Sequence, residues 1–139
     1  MREILFRAKR EVTNEWVYGY FVNEYDDFRI YVQPQIITRS GREYVNENTL
    51  GQFTGLTDKN GVKIFEGDIV EYETGKKVRI GRVFFSDFRA SFSVTAGKNG
   101  SARINNDLFN YIQNRNSVIV IGNIYDNPEL IGGADNENS

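Results

Sequence analysis

The sequence predicts an all-β (mainly β) protein built from many short strands. Three observations carry that prediction. Isoleucine and valine together number 25, against ten for leucine and alanine, and β-branched side chains suit a pleated, half-buried surface. Aromatic residues make up 14% of the 139-residue chain, which supplies the apolar bulk for a core. Fifteen asparagines and 13 glycines interrupt the apolar runs, and both residues tolerate the backbone geometry of tight turns. Short strands with frequent turn signals read as a small barrel or sandwich.

Residues 3–8 open the chain as a strand. In residues 15–22, Val17, Gly19 and Phe21 share one parity, and Trp16, Tyr18, Tyr20 and Val22 the other. Residues 28–33 alternate in the same way, after the turn signal Asp26-Asp27. Pro34 lacks an N–H and is expected to end that ladder. Residues 36–38 and 43–45 are expected to pair around Ser40-Gly41. Residues 50–55 form a short strand, and Asp58-Lys59-Asn60-Gly61 is a turn with positive φ expected at Asn60, Gly61 or both. Residues 62–65 return from it, Glu66-Gly67-Asp68 turns again, and residues 69–73 alternate.

Residues 77–86 change phase. Val78 and Ile80 share a parity, Val83 and Phe85 the opposite one, and the switch at Gly81-Arg82 predicts a bulge or bend. Residues 89–95 are the hairpin partner. Residues 106–114 are the one short helix expected, with Leu108, Phe109 and Ile112 on one helical face. Residues 118–121 are apolar at both parities, which predicts a strand buried on both faces. Asn127-Pro128 is a turn, and residues 132–139 read as a flexible polar tail.

Composition excludes much chemistry. The chain has no cysteine and no histidine, so thiolate catalysis, cysteine or histidine metal sites and a histidine general base are absent. Acid–base work falls to carboxylates, lysine or tyrosine, each needing a large pKa shift near neutrality. The longest strictly aliphatic run, residues 118–121, is far below the roughly 20 residues that span a bilayer. The N-terminus lacks the long apolar core of a signal peptide. A soluble, intracellular protein is expected, with no membrane association, no cofactor, no metal and no identified small-molecule substrate. The length is that of a single domain.

Three stretches stand out together. They are Glu3-Ile4-Leu5-Phe6-Arg7-Ala8, the run from Leu50-Gly51-Gln52-Phe53-Thr54-Gly55 through Asp58-Lys59-Asn60-Gly61 to Phe65-Glu66-Gly67-Asp68-Ile69-Val70, and Val120-Ile121-Gly122-Asn123-Ile124-Tyr125-Asp126-Asn127-Pro128-Glu129-Leu130. In this order they resemble the YopX family of phage and prophage proteins. The family usually carries a tryptophan and an acidic residue directly after the first stretch, where this chain has Lys9-Arg10. The resemblance implies an SH3-like small β-barrel in the C-terminal part and a phage or prophage origin, hence the cytoplasm of a bacterial host. It implies no activity and no catalytic residue. The expected organisation is an N-terminal β extension over residues 1–48, the barrel over 49–131 and the tail over 132–139.

Asp58-Lys59-Asn60-Gly61 resembles part of a calcium loop, but its glycine falls at position 4 rather than 6. The hairpin turn is the better reading. Glu66 and Asp68 flank a glycine and are expected to turn the backbone rather than hold a metal. The glycines at 51, 55, 61 and 67 fit no phosphate-binding motif. Among the aromatics that could stack on bases, Tyr18, Tyr20 and Phe84 have the parity expected to leave them exposed.

The charge distribution is the most informative feature. Residues 76–103 carry seven basic residues and one acid, or +6, in a chain of net charge −2. Such asymmetry marks a candidate nucleic-acid surface. Lys77, Arg79, Arg82 and Arg89 are the candidate binding residues, and the parity of Lys77 and Arg79 opposite Val78 and Ile80 predicts that both face solvent. The first functional expectation is a non-enzymatic accessory protein that binds nucleic acid through this basic hairpin. The second is a protein–protein assembly module, as a homo-oligomer or with a phage or host partner, in which the hairpin meets an acidic face. Residues 11–75, at −7 (five basic, twelve acidic), supply such a face. A minor third is a carboxylate–Mg²⁺ nuclease using Asp58, Glu66 and Asp68.

Overall fold

Ten strands make up almost all of the regular structure in the computed structural model, which describes residues 2–25, 32–74, 77–96, 105–107 and 118–131. In chain order they are β1 (Phe6–Arg10), β2 (Trp16–Tyr25), β3 (Val32–Thr38), β4 (Gly41–Thr57), β5 (Lys63–Phe65), β6 (Asp68–Thr74), β7 (Lys77–Ser86), β8 (Ser91–Ala96), β9 (Asn105–Asp107) and β10 (Ile119–Asn123). All the registered pairings are antiparallel. The all-β expectation holds. The helix expected over residues 106–114 lies mostly outside the described residues, and its first two positions belong to strand β9. A helical turn at residues 129–131 is the only helix among the described residues. The tail over 132–139 lies outside them.

The chain forms two compact units, Met1–Phe53 and Thr54–Ser139, and β4 runs through the boundary. In the first unit β1 pairs with β2, β2 with β3, β3 with β4, and β4 returns to β1. The N-terminal strands thus close into a ring. Residues directly opposite one another in a ladder point to the same face. Phe6, Ala8, Val17, Phe21, Ile36 and Val45 share one face and pack together with Leu50. Glu43 falls on the same face, and Arg10 beside it is held above its ordinary pKa, first by the hydrogen bond to Glu43, with Glu15 adding to the effect against the opposing cost of burial.

Two local expectations change here. Pro34 lies inside β3 rather than ending it. It is opposite Asn23 of β2, while the β3–β4 ladder begins one residue later at Gln35↔Tyr44. The missing N–H therefore falls where the strand is paired on one side only, a position that tolerates proline. Residues 43–45 and 50–55 are parts of one 17-residue strand rather than two. Its polar segment, Asn46-Glu47-Asn48-Thr49, bulges where the register with β1 slips between Arg7 and Lys9. Thr49 Oγ1 accepts the Lys9 N–H at 2.8 Å and donates to the Asn46 carbonyl at 2.6 Å, which secures the bulge.

The second unit is a sheet of order β10-β6-β7-β8-β9, with β5 hydrogen-bonded to the end of β4. Its core joins Ile64, Val70, Tyr72, Val83, Val94 and Val118, with Leu56 and Val120 packed against them. The expectation for residues 118–121 is corrected. Val118 is buried, but Ile119, Val120 and Ile121 are only half-buried. Among the described residues β10 is an outer strand paired only with β6, so apolar side chains at both parities do not receive cover on both faces.

Candidate functional site

The turns that resembled metal loops are filled by their own backbone. Asp58 is buried, and its carboxylate accepts three N–H groups. Oδ1 takes those of Asn60 at 2.8 Å and Val62 at 2.9 Å, and Oδ2 takes that of Val120, on β10, at 2.9 Å. Positive φ occurs at Gly61, at +82°, but not at Asn60. Asp68 is also buried, and its Oδ2 accepts the Phe65 N–H at 2.7 Å. Glu66 is half-buried at the same turn. Among the described residues no group of three or more carboxylates is placed to hold a metal ion.

The four cations of the β7–β8 hairpin do not share one surface. The β6–β7 and β7–β8 ladders run without a register shift, so the bulge expected at Gly81-Arg82 is absent. A continuous strand keeps one alternation throughout. Val83, a core residue, fixes the inward parity, and Lys77, Arg79 and Gly81 share it. Arg79 is half-buried opposite fully buried Tyr72, rather than facing solvent as its sequence neighbours suggested. Lys77, at the strand end, is exposed. Val78 is the residue that faces out, 62% exposed. The core demand of Val70, Tyr72 and Val83 outweighs the local preference of Val78 and Ile80 for burial.

Arg82 is on the opposite face. Its guanidinium carbon lies 5.9 Å from the Phe84 ring centroid, and its Nε is buried with no hydrogen-bond partner. Phe84 is half-buried. Arg89 is exposed in the turn at residues 87–90, where its N–H donates to Ser86 Oγ. Phe88 beside it is 98% exposed. Among the described hairpin cations, Lys77 and Arg89 are therefore the two exposed to solvent.

A second surface comes from the outward parity of the N-terminal ring. Tyr18 and Tyr20 of β2 are 48% and 64% exposed, and Tyr44 of β4 is 58% exposed. The register places them on one face with Arg7, Lys9, Trp16, Ile37 and Arg42. Arg7 and Lys9 are buried against Trp16, with Arg7 Cζ 4.5 Å and Lys9 Nζ 5.4 Å from its ring centroid. The quadrupole of the indole ring attracts both cations to its face. Arg42 pairs with Glu24 at 3.0 Å. The parity of Tyr18 and Tyr20 was legible in the sequence. That Tyr44 and Arg42 join them was not, because the β3–β4 pairing decides it.

Residues 5–132 match the YopX protein family. The chain belongs to the YopX family. A solved structure, the crystal structure of protein EF1440 from Enterococcus faecalis, is similar at 26% identity and a TM-score of 0.57, covering 94% of this chain and 99% of that one. No curated protein matches the chain. In this YopX-family chain, the stretches that carried the resemblance hold the residues that satisfy backbone groups. Asp58 and Asp68 do so in the central run. Asn123 and Asn127 do so in the last one, where Asn123 Oδ1 accepts the N–H groups of Tyr125 and Asp126 and Asn127 Oδ1 accepts that of Asn123. Those motif residues serve the fold.

Proposed function

We propose that this YopX-family protein is a non-enzymatic binding module of phage or prophage origin, acting in the cytoplasm of a bacterial host, and that it associates with nucleic acid through the β7–β8 hairpin. The observation that carries this reading is the +6 charge of residues 76–103 in a chain of net −2. The exposure of Lys77 and Arg89 supports it. An SH3-like barrel in the second unit is supported by its connectivity, in which the last strand, β10, pairs with β6, the first strand of the β6-β7-β8 meander.

With two exposed cations among the described residues, near opposite ends of β7 and on the order of 30 Å apart at about 3.3 Å per residue, contact with phosphates is weak and independent of sequence. Each neutralised phosphate contributes roughly 0.9 to the log–log salt slope on duplex DNA, so a slope of about −2 is expected. Fluorescence anisotropy of a labelled duplex across a salt series measures it. The double variant Lys77→Glu, Arg89→Glu abolishes binding without changing the melting temperature. Absence of wild-type binding at low salt overturns this reading.

A second reading is protein assembly through the hairpin tip. Phe88 at 98% exposure and Phe85 at 41%, next to Arg89, favour it. Aromatic and arginine side chains are enriched at interface hot spots. Sedimentation of Phe88→Ser against the wild type tests it, because a loss of mass identifies the tip as the contact.

A further inference from the structure

We propose that the outward face of the N-terminal ring is a platform for single-stranded nucleic acid, on which Tyr18 and Tyr20 stack successive bases and Arg39 and Arg42 meet phosphates. This surface belongs to the first unit and the basic hairpin to the second, and it takes a different form of nucleic acid.

Four observations carry the inference. First, Tyr18 and Tyr20 stand two residues apart on one strand, both substantially exposed. At about 3.3 Å per residue their Cα atoms are roughly 7 Å apart, a step that separate nucleotides of an extended strand can follow. Second, the tyrosines border a shallow depression of about 290 Å³, lined also by Leu5, Ile37 and Arg39. Its walls are largely apolar and its lining includes the exposed Arg39, a combination that suits a base beside a phosphate.

Third, the outward ladder positions of the ring are net positive and the inward ones balanced. The outward ladder positions hold Arg7, Lys9 and Arg42 against Glu24, whereas the inward positions hold Arg10 against Glu43. Arg7, directly opposite Tyr18 on the same face and itself buried, adds positive potential beside that tyrosine. This sign suits a phosphate backbone, although residues 1–53 as a whole carry −1 (seven basic, eight acidic). Fourth, Arg42 has a half-exposed side chain whose partner, Glu24, is equally open to solvent. Such a surface pair contributes little to stability, so a phosphate can replace Glu24 as its partner at small cost.

The platform favours single strands because the flat faces of the bases must be free to stack. A duplex keeps them inside its own stack.

The test is titration of the full chain with short labelled oligothymidylate, oligouridylate and a duplex of the same length at low salt. The expected result is tighter binding of the single strands than of the duplex, and the DNA and RNA arms show which sugar is preferred. Tyr20→Ala weakens single-strand binding about 5- to 150-fold, the range expected for loss of one stacked base, while Tyr20→Phe retains it. Arg39→Glu lowers affinity and reduces the salt slope by about 0.7, the value for one phosphate on a single strand. Unchanged far-UV circular dichroism and melting temperature exclude unfolding as the cause, and both tyrosines are exposed enough to be replaced without opening the core. The hairpin variant Lys77→Glu, Arg89→Glu keeps single-strand affinity, so a failed hairpin and a failed platform give different results. The proposal is overturned if no single strand binds at low salt, or if Tyr18→Ala and Tyr20→Ala both bind as the wild type does. It is also overturned if Tyr20→Ala lowers the oligomeric mass and leaves oligonucleotide binding unchanged, which makes the face a protein contact.

Discussion

Asp58→Ala tests whether the acidic turn is a structural element of the second unit. One carboxylate serves the local turn through Asn60 and Val62 and a strand 62 residues away through Val120. Hydrogen bonds to charged groups contribute about 1.5–3 kcal/mol, and neutral or replaceable ones less. Asn60 and Val62 lie at an exposed turn, so water takes over their N–H groups and the loss there is about 0.5 kcal/mol each. The Val120 N–H sits in a half-buried strand and loses a charged acceptor, at a cost of about 2 kcal/mol. The sum is about 3 kcal/mol, or a fall in melting temperature of roughly 10–15 °C for a chain of this size. Denaturant unfolding and amide hydrogen exchange at Val120 measure it together. Asp58→Asn retains an acceptor for the turn but offers an NH₂ group where Val120 needs an oxygen, so it recovers protection at Asn60 and not at Val120. The reasoning is refuted if Asp58→Ala stays within about 1 kcal/mol of the wild type and the Val120 amide exchanges at its original rate. A rise in melting temperature on adding Mg²⁺ or Ca²⁺ to the wild type also refutes it, because a carboxylate committed to backbone N–H groups gains nothing from a cation.

Other substitutions probe the packing. A Cβ at residue 19 would overlap the Ile37 carbonyl oxygen, so Gly19→Ala forces β2 and β3 apart and destabilises the N-terminal unit by about 1–3 kcal/mol; the fluorescence of Trp16, the sole tryptophan, follows that unit during unfolding. Ile36 is fully buried and Ile121 half-buried, so Ile36→Ala costs about 2–5 kcal/mol and Ile121→Ala under about 2; equal losses in denaturant titrations contradict the placement of β10 as an outer strand. Val78→Lys leaves stability within about 0.5 kcal/mol, because the side chain faces out opposite Glu73; a loss above about 2 kcal/mol, the range of core truncations, restores the inward assignment of Val78.

The amino-acid sequence by itself determined the local features. β-Branched residues and turn formers dictated an all-β chain, and Gly61 and the Thr38–Gly41 turn sit where glycine and small polar residues predicted them. The carboxylates of Asp58 and Asp68 were legible as turn formers because an aspartate reaches N–H groups only a few residues away, as both do here. Tertiary pairing decided which parity of a strand faces the core. Residues 77–86 have apolar side chains at both parities, and only the unbroken ladders to β6 and β8 put Val83 inside and Val78 outside. The same holds for β2, where Val17 is buried and Phe21 half-buried while the aromatic Tyr18 and Tyr20 are exposed, because β4 closes back on β1. Pro34 is tolerated because its neighbour on one side is missing, and residues 119–121 stay half-covered because β10 is an outer strand. Side-chain alternation is a property of the local backbone, whereas the choice of inner face depends on partners distant in the chain.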